Sequence, residues 1–193
     1  MSGYQDKLSF KISIAASIGA LYAVLVWLFP FIAFFIWQIR IADCLIPQAL
    51  LLGLPAAIGL AIGCFAGNLI GGLGLIDYFG GAITNFLAGF IGYQIEKRNT
   101  SKGIIRILRT QLAIGVQTLI NIFIVGTYLS YLFAMPLPIG WLGILVGSLV
   151  AMHLVGFLIH EALRKTGLIK LETKTENLQI SVNLITRNFV FKK

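Results

Sequence analysis

The stretch from Thr110 to His160 reads TQLAIGVQTLINIFIVGTYLSYLFAMPLPIGWLGILVGSLVAMHLVGFLIH and contains no Asp, Glu, Lys or Arg over 51 residues. A helix needs about 20 consecutive apolar residues to cross a hydrocarbon core of roughly 30 Å. The stretch therefore holds two membrane spans, and Pro136-x-Pro138 marks the break between them, because proline does not continue a helix. Two further charge-free runs, Ile12–Ile39 and Cys44–Ile76, extend this interpretation to most of the chain.

The overall composition agrees with a membrane protein. Of the 193 residues, 58% are hydrophobic and only 11% are charged, and the mean hydropathy is +0.92. A soluble domain carries about a quarter charged residues, so this chain has too few charges to cover a surface that faces water. A soluble globular enzyme, a disordered protein and a disulfide scaffold are therefore excluded. A transmembrane barrel is excluded too, because the runs do not alternate apolar and polar residues as barrel strands do.

The spacing of the apolar runs predicts an all-α integral membrane bundle of six transmembrane helices, of which the second is short. Pro30, Gly53-x-Pro55 and Gly71-Gly72-x-Gly74 supply the other breaks. The six predicted segments are Phe10–Phe29, Ile39–Leu52, Pro55–Gly71, Asp77–Ile95, Ile104–Ala134 and Ile139–Leu163.

The placement of the basic residues predicts the orientation of the bundle. Six crossings put both termini on one side, and that side then holds 14 of the 15 Lys and Arg residues, with Arg40 as the exception. Positive charge collects on the cytoplasmic side of membrane proteins, so we expect both termini in the cytoplasm and a multi-pass protein of the cell membrane. The net charge of +8 is thereby explained by membrane topology, and it does not indicate a nucleic-acid partner. Residues 1–165 form the membrane domain, and residues 166–193 form a basic cytoplasmic tail.

Polar residues collect at the outer ends of four predicted helices. A charge near the bilayer centre costs about 2.5–3.5 kcal/mol of insertion free energy, so charged residues inside the membrane usually have a functional or structural role. With the orientation fixed, they can converge on one cavity that faces outward. The candidate substrate-binding residues are Arg40, Asp43, Asn68, Asp77, Asn121 and Tyr128.

Several of these residues also have a purely structural interpretation. Arg40 and Asp43 lie three apart and can pair as an ion pair that anchors a helix. Asp77 follows glycines at a helix start, where a carboxylate can cap free N–H groups. Asn68 can form a hydrogen bond between helices. The sequence leaves these alternatives open.

Small residues predict how the helices pack. Gly59, Gly63, Gly67 and Gly71 are each four apart and form one stripe, which favours close approach of another helix. We interpret this stripe as a packing seam within the chain. Ala16 and Ala20 form a similar pair on the first helix, for which contact with a partner protein is a second interpretation.

The sequence contains no catalytic or metal-binding signature. His160-Glu161 begins like a zinc-protease motif, but Arg164 stands where the second histidine is needed. No P-loop is present, and the two cysteines lack metal-type spacing. We therefore predict a protein that is not an enzyme and holds no metal or cofactor, with any transport energised by a partner or an ion gradient. A structural or assembly protein and an ion-coupled carrier remain the competing hypotheses.

The stretch between Gln38 and Tyr128 contains a set of short motifs: Arg40-Ile-Ala-Asp43, Gly63-Cys64, Gly67-Asn68, Gly71-Gly72, Leu75-Ile-Asp77 with Gly81, and Asn121-Ile-Phe-Ile-Val-Gly126. Together these motifs resemble the QueT family, the substrate-binding S-components of energy-coupling factor (ECF) transporters.

The resemblance implies a six-helix fold with an outward-facing pocket for a queuosine-type 7-deazaguanine base. It also implies docking to a transmembrane T-component driven by two ATPase subunits, with Ala16 and Ala20 as the docking residues. The sequence departs from the family pattern at two places. Asp43 stands where we expect glutamate, and the proline usually found shortly before Asn121 is missing.

Overall fold

The computed structural model of the protein describes residues 8–30 and 39–166, and all regular structure in these ranges is helical. Five helices are long and apolar enough to cross a membrane, and one shorter apolar helix lies between the first two. The helices are α1 (Leu8–Leu28), α2 (Ile41–Leu52), α3 (Leu54–Gly71), α4 (Leu75–Glu96), α5 (Gly103–Leu132) and α6 (Leu137–Lys165). The predicted six-helix bundle is confirmed, and each predicted segment corresponds to one helix. The predicted basic tail, apart from Thr166, lies outside the described residues.

The helix boundaries follow the predicted glycine and proline breaks. Gly53 (φ +70°) separates α2 from α3, and Gly72 (φ +65°) ends α3 in the left-handed conformation. A residue with a Cβ is strained at such a φ, which explains glycine at both positions. Pro55 and Pro138 lie in the first turn of their helices, where no backbone N–H partner is lost.

Two helices contain irregular segments that pack against each other. Ile41–Gln48 of α2 is a 3₁₀ helix that contains Pro47, and Leu149–Gly156 of α6 is a π-helix. The side chain of Gln48 donates one hydrogen bond to the Cys44 carbonyl and one to the Gly156 carbonyl, both at 2.9 Å. From the rise of each helix type, α2 is about 22 Å long, which is less than the hydrocarbon core.

The glycine stripe of α3 is a packing seam within the chain, as predicted, and the structure shows that α1 is the helix that packs on it. Gly59 faces the backbone of Ala15, and Gly63 faces the backbone of Gly19. A Cβ built at Gly67 would lie 3.0 Å from the Cβ of Val26. The two backbones come this close because small residues leave no side chain between them.

The helices pack in the order α1, α3, α4, α5 and α6, and α2 closes the bundle mainly against α6 and α4. One end of the bundle, here called the basic side, carries the start of α1, the α4–α5 loop and the end of α6. The other end, the opposite side, carries the start of α2 and the α3–α4 and α5–α6 loops. Among the described residues, Arg40 is the one Lys or Arg at the opposite side. The predicted division of Lys and Arg between the two ends is therefore present in the fold, and the cytoplasmic placement of the basic side stays a prediction.

Candidate functional site

Arg40 is the buried cation of a polar cluster at the opposite side, with 4% of its surface exposed. It lies in extended backbone just before α2. Its Nη2 donates a hydrogen bond to Asn68 Oδ1 at 2.9 Å, and its Nη1 contacts Cys64 Sγ at 3.8 Å. A buried charge needs such hydrogen-bonding partners, because removing it from water is costly. Arg40 thus ties the start of α2 to the end of α3.

Asn68 connects Arg40 to α4. Its side chain is fully buried, and its Nδ2 donates to the backbone carbonyl of Asp77 at 2.9 Å. Gly81 leaves the room for this amide, because a Cβ there would lie 2.7 Å from Asn68 Nδ2 and 2.9 Å from Cys64 Sγ. The interhelical hydrogen bond considered for Asn68 is therefore present, and it involves both ends of the amide.

Asp77 brings an acidic group into the same cluster. It is the third residue of α4, whose N-cap is Gly74. Its Oδ1 accepts a hydrogen bond from the Tyr128 hydroxyl at 3.0 Å. Its Oδ2 is buried and has no hydrogen-bond partner among the described residues. The carboxylate thus binds α5 rather than capping α4, and it retains one acceptor atom for a further donor.

Asp43 is held by a residue that the sequence reasoning missed. The Tyr22 hydroxyl donates to Asp43 Oδ1 at 2.6 Å, and Tyr22 is fully buried while Asp43 is half-buried. Tyr22 lies one turn after Gly19 on the face of α1 that packs on the glycine stripe. A tyrosine on that buried face, level with Asp43 along the bundle, is the sequence feature that could have identified Tyr22.

One continuous hydrogen-bonded network therefore runs from the start of α2 through α3 and α4 to α5. Its members are Arg40, Asn68, Asp77 and Tyr128. Asp43 lies at the start of α2, three residues from Arg40, and its carboxylate is fixed from α1 by Tyr22. We call these residues, with Tyr22, the polar cluster. It unites five of the six predicted binding residues at one end of the bundle.

A comparison with known protein families identifies the family of the chain. A family model described as QueT transporter matches residues 12–165, which include all six helices except the first residues of α1. The chain belongs to the QueT transporter family. The resemblance read from the short motifs is thereby confirmed, and the protein is a multi-pass membrane protein with a role in transport. Neither a curated protein nor a solved structure matches the chain.

In this QueT family member, Asn121 lies deeper than the polar cluster. It is seven residues before Tyr128, which is about 10 Å along the axis of α5. Its Nδ2 donates to the Gln117 carbonyl at 3.1 Å, and only 3% of the residue is exposed. The side chain of Gln117 donates to the Ile46 carbonyl of α2 at 3.3 Å. Polar groups thus continue from the cluster toward the bilayer centre, although Asn121 is not joined to the network by these bonds.

Ala16 and Ala20 lie on the exposed face of α1, whereas Ile18 and Gly19 are buried against α3. The alanine pair is therefore not used for packing within the described part of the chain. This placement leaves a strip of small residues on the outside of the QueT bundle, where another helix can approach closely.

The two histidines have structural partners in this QueT protein. His153 lies between Gln111 (2.9 Å) and Thr118 (3.1 Å) of α5, and His160 Nδ1 lies 3.3 Å from the Pro47 carbonyl of α2. Within residues 8–30 and 39–166, no group of three or more His, Cys, Asp or Glu side chains could hold a metal ion. Both cysteines in these ranges are buried and free.

Proposed function

We propose that this QueT family member is the substrate-binding subunit for uptake of a queuosine-type 7-deazaguanine base across the cell membrane. The observation that carries the proposal is the polar cluster, a buried network of charged and amide groups drawn from several helices at the end opposite the basic loops. Buried charges in a membrane bundle are costly and mark substrate paths more often than packing. In this proposal the protein performs no catalytic step of its own.

The chemistry of a guanine-like base suits these groups. Its ring N–H and amino group form a pair of donors that a carboxylate accepts, and its carbonyl oxygen accepts from an amide or guanidinium. We assign the carboxylate contact to Asp43, because Asp43 is half-buried and Tyr22 fixes its position. Asn68 uses both ends of its amide within the cluster, so we assign it and Arg40 to positioning. Asp77 Oδ2 is then a second polar contact from the cluster, Asn121 is a deeper one, and Tyr128 lies beside the base.

A ligand screen on the purified protein tests the proposed substrate class. The probes are queuine, 7-cyano-7-deazaguanine and 7-aminomethyl-7-deazaguanine, with guanine and adenine as comparisons. A ligand at 100 times its Kd stabilises the folded state by about 2.7 kcal/mol, which raises the Tm by several degrees. We expect at least one deazaguanine to give this shift and adenine to give none. An equal shift with adenine, or no shift with any deazaguanine, would contradict the proposed substrate.

Replacing Asn121 with leucine is expected to weaken base binding about tenfold, because one buried neutral hydrogen bond is lost while the number and branching of the side-chain heavy atoms are kept. Isothermal titration with the best deazaguanine measures the affinity. The matched control is Thr118→Val, one turn earlier on α5, where the side chain bonds to α6 rather than to the cluster. An unchanged affinity in Asn121→Leu, with a normal elution profile, would remove Asn121 from the site.

The source of energy is the second part of the proposal. We infer that the protein docks through Ala16 and Ala20 to a T-component, which two ATPase subunits drive. The exposed alanine strip of α1 supports this inference, and so does the lack of a P-loop in the sequence.

Replacing both Ala16 and Ala20 with leucine is expected to abolish recovery of the T-component and the two ATPases with the protein, because the larger side chains keep the partner helix away. Base binding by the isolated protein should stay within about twofold, since both alanines are exposed. The control is Gly115→Leu on α5, where a Cβ meets no atom within 4 Å. If the double variant still recovers the ATPases, the alanine strip is not the docking surface. If the unaltered protein recovers none and an ion gradient drives uptake, the protein is an ion-coupled carrier.

A further inference from the structure

A groove at the basic side, on the far side of the bundle from the polar cluster, combines two arginines with an apolar wall. It lies between the end of α4 and the start of α5 and has a volume of about 440 Å³. Arg98, Asn99 and Arg109 line its polar part, and Ile91, Ile95 and Leu112 line its apolar part. The groove is open to the surface that faces lipid, where Leu112 is 65% exposed.

Within the described part of the chain, the two arginines of the groove, Arg98 and Arg109, form no salt bridge. By contrast, Arg106 of α5 binds Glu161 through two hydrogen bonds of 2.7 and 2.9 Å. The one acidic residue of the groove is Glu96. Its carboxylate already accepts hydrogen bonds from Thr110 and Asn99.

Depth in the membrane determines which anion suits this groove. Arg98 is the second residue after the end of α4 and Arg109 lies in the second turn of α5, so we place both at the level of the lipid headgroups. The apolar residues lie one or two turns closer to the bilayer centre, at the level of the acyl chains. Basic grooves between membrane helices at this level bind anionic headgroups.

We propose that the groove between α4 and α5 binds one anionic phospholipid of the leaflet at the basic side. Its phosphate contacts Arg98 and Arg109, and an acyl chain lies along Ile91, Ile95 and Leu112. Residues 167–193 carry five Lys or Arg and two Glu, and this positive balance disfavours the protein's own tail as the occupant of a basic groove. The helix α1, which carries the proposed docking strip, packs mainly on α3 and α2, so lipid and partner protein use different faces.

Native mass spectrometry tests this proposal. The full-length protein is released from micelles that contain equal amounts of phosphatidylglycerol and phosphatidylcholine with the same acyl chains. We expect the unaltered protein to retain phosphatidylglycerol about 25-fold more often than phosphatidylcholine, the product of two contributions of about fivefold each. The Arg98→Gln/Arg109→Gln variant should lose this preference, because each arginine near an anionic headgroup contributes about fivefold. The control is Lys97→Gln/Lys102→Gln, which removes the same charge from the same loop outside the groove.

Three outcomes would overturn the proposal. The first is equal retention of both lipids by the unaltered protein, a result that does not depend on whether any variant folds. The second is an equal loss in the arginine and lysine variants, which would assign the preference to the charge of the loop. The third is displacement of the lipid by inorganic phosphate or glycerol phosphate at the same concentration, which would mean a site for free phosphate. None of these measurements involves the deazaguanine, so they leave the proposed function untouched.

Discussion

Replacing Gly63 with alanine is expected to lower the free energy of unfolding by about 3 kcal/mol, because the new Cβ has no space in the seam between α1 and α3. It would lie 2.8 Å from the Gly19 Cα and 2.9 Å from the Tyr22 Cβ, and it would also overlap the Gly19 carbonyl oxygen. Backbone atoms cannot turn aside as the end of a flexible side chain can. The helices must therefore separate, and every contact along the glycine stripe weakens.

Thermal unfolding in detergent measures this effect. A loss of about 3 kcal/mol corresponds to a fall in Tm of about 10 °C for a chain of this size. The matched control is Gly115→Ala on α5, where the Cβ would meet no atom within 4 Å. Alanine favours a helix more than glycine does, so the Tm of this control should stay the same or rise slightly. Equal Tm values for the two variants would contradict the close backbone contact of α1 and α3.

The same substitution links the fold to the site. Tyr22 lies on the seam and holds the Asp43 carboxylate at 2.6 Å. When α1 moves away from α3, Tyr22 moves with it, and Asp43 loses its fixed position. We therefore expect any folded Gly63→Ala protein to bind the base more weakly than the Gly115→Ala control does.

Replacing Asp43 with asparagine is expected to weaken binding of the preferred deazaguanine by about 100-fold or more. The substitution keeps the shape of the side chain but replaces one acceptor oxygen with an N–H donor, which then faces a donor of the base. A charged hydrogen bond contributes about 1.5–3 kcal/mol, and an unpaired buried donor adds a cost of similar size. Isothermal titration with the purified protein gives the affinity.

A second ligand distinguishes recognition by Asp43 from a general loss of binding. The analogue that lacks the exocyclic amino group offers one donor fewer to a carboxylate. The unaltered protein should prefer the amino compound strongly, because a site built for a hydrogen bond rejects a ligand that cannot form it. In Asp43→Asn this preference should disappear.

The matched control for Asp43→Asn is Tyr22→Phe, which removes the hydroxyl that positions the carboxylate but leaves the carboxylate in place. It should weaken both ligands moderately and keep the preference for the amino group. If Asp43→Asn weakens both ligands by the same factor, Asp43 does not contact the amino edge, and Asp77 becomes the acidic residue to test.

Much of the candidate site could be predicted from the sequence, because polar residues inside apolar runs are conspicuous. The sequence predicts four such residues from polarity and position, and the fold joins them into one network: Arg40, Asn68, Asp77 and Tyr128. Tyr22 was missed because a tyrosine within an apolar helix is common at membrane interfaces, and only its contact with Asp43 distinguishes it. Asn68 was expected to contact the substrate, yet both ends of its amide bind protein groups.

The sequence by itself determined the membrane bundle, its six segments and the distribution of charge between its two ends. Each of these follows from an energy that does not depend on tertiary contacts. A charge is expensive in hydrocarbon, and glycine or proline interrupts a helix locally. The tertiary structure alone decided the rotation of each helix, the 3₁₀ and π segments that join α2 to α6, and the choice of partner for every buried polar group. These depend on atoms far apart in the chain that meet only when the helices pack, as Gln48 meets Gly156 and Tyr22 meets Asp43.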